Sequence, residues 1–219
     1  MIEAKKLAYA DMLRYVADPR YSKIPVAGML SKETAEARAK LIDPKRASCR
    51  VTPSELAWLT RIPGADTIYM SAIDRDGHIV SLIQSNYAGF GSGLVAGGTG
   101  FALQNRAGLF SMERGHPNAL APRKRPLHTI IPAFMQKGET RIGFGIMGAW
   151  NQSQAHAQFV ANVADFGMNI QAALEAARFT KLSFDGCDVQ VESRVPASGP
   201  FRWTASSRPR FITPRTASR

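Results

Sequence analysis

Apolar and polar positions change rhythm several times along this 219-residue chain. Residues 1–18 carry Leu7, Met12, Leu13 and Val16 among charged neighbours, an intermittent apolar face at helical spacing that predicts a helix. A proline-bearing stretch over 19–28 interrupts it. Ser31 then offers the hydroxyl an N-cap needs, with Glu33 and Glu36 in or near the first turn of a helix running to about residue 42. From 43 to 66 Pro, Ser, Arg and Gly take over, and the segment reads as a linker. The texture then becomes that of strands. Residues 67–74 and 79–85 are rich in β-formers, and between them Asp76-Gly77 can take the positive φ of a tight turn, so the pair predicts a β-hairpin.

A glycine-dense stretch follows, Gly89-Phe-Gly-Ser-Gly93 and Gly97-Gly-Thr-Gly100, which predicts loop. Further short strands are expected at 101–104, 129–135, 141–147 and 189–192. Helices are expected over 152–166, stopped by Gly167, and from Asn169 to about 177. Strands followed by a helical pair suggest sheet-and-helix layering. After residue 197 the pattern breaks off into a tail rich in Arg, Pro and Ser over 198–219. It reads as unstructured, and a shift of reading frame near Ser198 accounts for the abrupt change.

Composition narrows the function classes. The net charge of +11, from 28 basic and 17 acidic residues, first suggests a nucleic-acid partner. The five arginines 202, 208, 210, 215 and 219 all lie in the tail, and no nucleic-acid module accompanies them, so that class is set aside. The opening MIEAKKLAYADML places charges where a leader or membrane span needs an apolar run, so no membrane partner is expected and the chain as it stands reads as cytoplasmic. Cys49 and Cys187 share no ligand spacing with any histidine and read as two unpaired thiols in a reducing compartment. Neither metal nor cofactor is expected.

Four blocks carry a resemblance. DTIYMSAIDRDGHIVSLIQS, GFGSGLVAGGTGFALQNR, GHPNALAPRKRPLHTIIPAF and GFGIMGAWNQSQAHAQFVANVADFGMNIQAALEAARF resemble consecutive blocks of the gamma-glutamyltranspeptidase family, in unbroken order over about residues 1–197. The resemblance implies an α+β N-terminal-nucleophile fold, an αββα sandwich of which this chain supplies part behind its N-terminal helices. It also implies a precursor that cuts itself between Asp66 and Thr67. Residues 1–66 would then end a large subunit, and residues 67–197 would form most of a small catalytic one. Family members are much longer, so a separate large-subunit chain is a possible partner beside a small gamma-glutamyl or acyl-amide substrate.

The resemblance assigns Thr67 as nucleophile. A hydroxyl is a weak nucleophile and needs a base beside it; a chain cut at Asp66–Thr67 supplies one in the new α-amine of Thr67 itself. From strand position alone, Thr67 simply begins a strand. Ser85 aligns with a hydroxyl that bonds the nucleophile, or is a strand-end serine satisfied by backbone. Gly148 and Ala149 stand where the family has a Gly-Gly pair whose N–H groups form an oxyanion hole. An alanine there is tolerable at negative φ and costly at positive φ. The substrate side departs further. Leu109 replaces an acid that would hold an α-ammonium, Tyr87 replaces a short polar residue, and His128 and Thr129 replace two serines near the substrate carboxylate. Arg106 is a candidate anion contact, or equally a solvated surface arginine. Acyl transfer through Thr67 is the resulting reading. Its alternatives are a catalytically inactive fragment and a small binding module that is never cut.

Overall fold

The computed structural model describes residues 1–49, 51, 67–181, 186–187, 189–195 and 210–212, the last three as backbone only. Helices α1 (Ile2–Tyr15), α2 (Val26–Met29) and α3 (Lys32–Ala39) come first. Two antiparallel hairpins follow, β1 (Thr67–Ile73) with β2 (Ile79–Ser85), and β3 (Ala133–Lys137) with β4 (Thr140–Phe144). Then come α4 (Asn151–Ala164), α5 (Ile170–Glu175) and a small sheet of β5 (Phe179–Thr180), β6 (Gln190–Glu192) and β7 (Arg210–Ile212). The fold is a mixture of helix and strand, as expected.

Local chemistry explains most of these bounds. Ser31 caps α3, accepting from the Thr34 N–H at 3.1 Å, and Asn169 caps α5 through Ala172 N–H at 2.8 Å. Gly77 holds φ +83° in the β1–β2 turn, where Asp74 accepts from the N–H groups of Asp76 and His78. The expected strand at 101–104 is reduced to a single bridge, Val95 to Ala102, because the glycines before it turn the chain too sharply for a ladder.

The layers are joined by specific contacts. Ser81 on β2 donates to the Ala133 carbonyl of β3 at 2.9 Å, which sets one hairpin upon the other. Phe144 at the end of β4 meets His156 and Phe159 of α4 with ring centroids 5.1 and 5.0 Å apart. Gln154 and Gln158, one helical turn apart on α4, exchange paired hydrogen bonds with the backbone of Lys181 and Phe179. Buried glutamines thus complete the edge of β5, supplying a donor and an acceptor each.

Three expectations are corrected. Leu13 is buried but Leu7, Met12 and, just past α1, Val16 are only partly covered; Lys5, Lys6 and Tyr9 are buried beside Leu13. The lysine stems lie along the packed face while their ammonium groups reach the carbonyls of Lys181 and Ser48, both at 2.7 Å. Cys49 and Cys187 are joined in a disulfide with Cα atoms 4.6 Å apart, so they are not free thiols; spacing in sequence carries no information on that approach. Within the tail read as unstructured, Arg210–Ile212 pairs in parallel with β6. The linker residues 52–66 and the rest of the tail lie outside the described residues.

Candidate active site

Thr67 and Ser85 are cross-strand partners at the open end of the first hairpin. Side chains on one face of a strand pair lie close enough to bond, and here the Thr67 hydroxyl donates to Ser85 Oγ at 3.1 Å. Ser85 Oγ also accepts the Tyr87 N–H at 2.9 Å, which turns the chain sharply out of β2. Thr67 is buried, yet it borders an open cleft of about 400 Å³ lined by Thr67, Gln84, Ser85, Asn86, Gly89 and Met147.

Behind that cleft wall lies a buried cation. Tyr87 has φ +80°, unusual for a bulky residue, and its ring lies 5.1 Å from the Arg106 guanidinium. Arg106 is only 1% exposed; its Nη1 donates to Thr129 Oγ1 at 2.6 Å, and its Nη2 has no partner. No carboxylate among the described residues pairs with it. Burial pulls the Arg106 pKa below its usual value and pushes that of Tyr87 up; for Tyr87 the opposing pulls are the Arg106 charge and a hydrogen bond from Trp150. Arg106 and Leu109 open and close one 3₁₀ turn and both are buried, and Leu109 carries no charge.

The third component is the turn into α4. Gly148 has φ +117°, outside the range of other residues, and Ala149 has φ +50°. The carbonyls of Gly148 and Ala149 accept from Asn151 and Gln152, starting the helix, while neither of their own N–H groups meets an acceptor among the described residues. Met147, one residue before, lines the cleft with Thr67, and Trp150, just after, bonds Tyr87. Ala149 therefore sits in the costly case anticipated for a methyl at positive φ.

Contacts thus link Thr67 to Ser85, Ser85 to Tyr87, and Tyr87 through Arg106 to Thr129, while Met147, beside the Gly148–Ala149 turn, lines the same cleft as Thr67. His128 is exposed, its Nδ1 2.7 Å from the Pro126 carbonyl. Asp66 lies outside the described residues. Sequence reasoning missed Trp150 and the lining residues Asn86, Gly89 and Met147. Asn86, Gly89 and Met147 stand one to four residues beyond Ser85 or before Gly148, and Trp150 follows Ala149; that adjacency was the available signal. The sole grouping of possible metal ligands among the described residues is Asp74, Asp76 and His78, all exposed at the far end of the hairpin, with Asp74 already engaged by turn N–H groups.

This arrangement is a hydroxyl pair beside an open cleft that Met147, next to the Gly148–Ala149 turn, also lines. The gamma-glutamyltranspeptidase family model matches residues 1–199. The chain is 37% identical over 180 residues to the glutathione hydrolase-like YwrD proenzyme of Bacillus subtilis, covering 82% of this chain and 33% of that protein. It is 34% identical over 180 residues to the oxamate amidohydrolase proenzyme of Klebsiella pneumoniae, with the same coverage. Among solved structures, cephalosporin acylase from Bacillus halodurans superposes with a TM-score of 0.74 at 43% identity, over 89% of this chain and 34% of that one. The chain spans about a third of the length of the curated relatives it matches. It belongs to the gamma-glutamyltranspeptidase family.

Proposed function

We propose that this chain carries the catalytic part of a gamma-glutamyltranspeptidase-like acyl transferase or amide hydrolase that acts through Thr67. The observation that supports it most is the Thr67–Ser85 hydroxyl contact at 3.1 Å on the cleft wall. In the uncut chain the Thr67 hydroxyl attacks the Asp66 carbonyl, the acyl group passes from nitrogen to oxygen, and water hydrolyses the ester. A carboxylate is left on Asp66 and a free amine on Thr67. That amine, with an ordinary pKa of about 7.7–8.0, then takes the hydroxyl proton during attack on a substrate amide. Ser85 orients the nucleophile. The N–H groups of Gly148 and Ala149 receive the developing oxyanion, a contribution of about 3–4 kcal/mol for one donor. The leaving amine departs with the proton, and water or an amino acceptor releases the acyl group from Thr67.

The acyl group bound is anionic rather than ammonium-bearing. Leu109 cannot pair with an ammonium, whereas Arg106 has an unpartnered Nη2 and lacks a counter-charge. A buried cation without a partner is costly, and a substrate carboxylate would relieve that cost. Reaching it requires the Tyr87 ring to turn aside. The names of the oxamate amidohydrolase and cephalosporin acylase relatives point to amides other than glutathione. The region that full-length relatives have beyond the matched third completes the αββα sandwich.

Hydrolysis of glutaryl-p-nitroanilide against γ-glutamyl-p-nitroanilide, with and without a family large subunit, tests the preference. Faster release from the glutaryl substrate is expected, and a γ-glutamyl preference would overturn the assignment of Arg106. The second reading, a relative that keeps the fold without turnover, draws on the strained Ala149. It predicts no release from either substrate and no cut chain.

A further inference from the structure

The Cys49–Cys187 disulfide spans 138 residues of sequence, and the peptide bond between Asp66 and Thr67 lies inside the loop it closes. We propose that this bond is a covalent tether between the two processed chains, holding residues 1–66 to residues 67–219 once that peptide bond is cut. The cut rests on the self-processing reading above; the sulfur bond does not. A ring opened at one peptide bond gains one water and stays a single molecule, joined through sulfur.

The surroundings of the bond are built from both sides of the cut. Gly186 N–H donates to the Cys49 carbonyl at 2.9 Å. Beside it, Ser48 is moored to α1: its N–H donates to Glu3 at 3.2 Å and its carbonyl accepts from Lys6 at 2.7 Å. Helix α1 in turn reaches across, Lys5 to the Lys181 carbonyl at 2.7 Å and Tyr9 to Ser153 at 2.6 Å. Further along, Asp18 accepts the Arg125 N–H at 3.0 Å, and Tyr21 donates to the Pro122 carbonyl at 2.6 Å.

These contacts are mostly polar; on α1 only Tyr9 and Leu13 are buried apolar anchors. Such an interface holds weakly between free chains, whereas a tether makes re-docking intramolecular, at an effective concentration on the order of millimolar. The tether has a consequence for the site. The strap formed by Asp18 and Tyr21 holds residues 122–125, which lead directly to Thr129 and its bond to Arg106. Keeping residues 1–66 attached keeps that wall in place.

The test is alkylation of the purified chain with iodoacetamide, before and after reduction, followed by intact mass and gels. The tether predicts one unalkylated species at the mass of the whole chain plus one water. After reduction it predicts two chains, 1–66 and 67–219, each with one alkylated cysteine. Two separate chains before reduction, or alkylation of unreduced protein, would overturn it. If no cut forms, the self-processing reading fails alone. The tether is then decided on a variant with a specific protease site inserted between Asp66 and Thr67, by the same pair of outcomes. In either background Cys49→Ser and Cys187→Ser should each let the cut chains separate without reductant; chains that stay covalently joined in these variants would contradict the assignment.

Discussion

At Ala149 the backbone is asked for a conformation its side chain resists. A left-handed φ costs an L-residue about 1–2 kcal/mol relative to glycine, against about 0.4–1 kcal/mol of unfolded-state entropy that a glycine adds. Ala149→Gly should therefore raise stability by about 0.5–1 kcal/mol, read as a shift in denaturant midpoint at constant slope. No gain would mean that the φ of +50° is not held in solution. Arg106 gives the complementary case, a buried charge whose removal relieves the empty protein. Arg106→Gln should leave stability unchanged or improved while lowering kcat/KM on a glutaryl amide about 10–100-fold, the worth of a charged hydrogen bond of about 1.5–3 kcal/mol. An equal loss on an uncharged butyryl amide would show a structural role only.

Among the elements, the strap from residues 18–21 to the 122–125 loop carries a pH-sensitive contact. The Arg20 guanidinium, and after it the Arg125 N–H, hold the Asp18 carboxyl well below the usual carboxylate range, against the opposing effect of burial. Because the folded pKa is depressed, this contribution is complete above the ordinary Asp value of about 4 and fades as pH falls through the lower, folded value. Asp18→Asn should be less stable than the parent at pH 7, with the difference shrinking below about pH 4 in urea titrations. A difference that grew on acidification would contradict the assignment.

The elements were unevenly legible in sequence. Caps and turns announced themselves: Ser31, Asn169 and Asp76-Gly77 each carry the side chain their backbone geometry needs. The hairpin of residues 67–85 was likewise plain from β-branched runs around a turn. Helix α1 was predicted, but its packed face was not, because lysine stems and Tyr9 join Leu13 there, which a hydrophobic stripe does not reveal. The disulfide and the pairing of Arg210–Ile212 depend on approaches between distant segments. For the site, the blocks pointed to Thr67, Ser85 and Gly148, yet the burial of Arg106 and the exposure of His128 needed coordinates.

For the whole molecule, the first hairpin leaves one face uncovered. Ile68, Met70, Val80 and Leu82 alternate along β1 and β2, each about half exposed, while the opposite face packs on the second hairpin. A family large subunit, the region these relatives have beyond the matched third, is the occupant the account expects there. Leu82→Lys should weaken co-purification with such a subunit at least tenfold without lowering the stability of the chain alone, since a charge on an exposed strand position changes little by itself. Undiminished co-purification would place the partner elsewhere.

Catalysis by this chain depends first on the chemistry of residue 67. Reduced protein incubated with a large subunit and sequenced from its amino termini should yield a second chain beginning Thr67-Ile68-Tyr69, and Thr67→Ala should yield none. A wild-type chain that retains only the Met1 terminus, or a Thr67→Ala chain cut at the same bond, would contradict it.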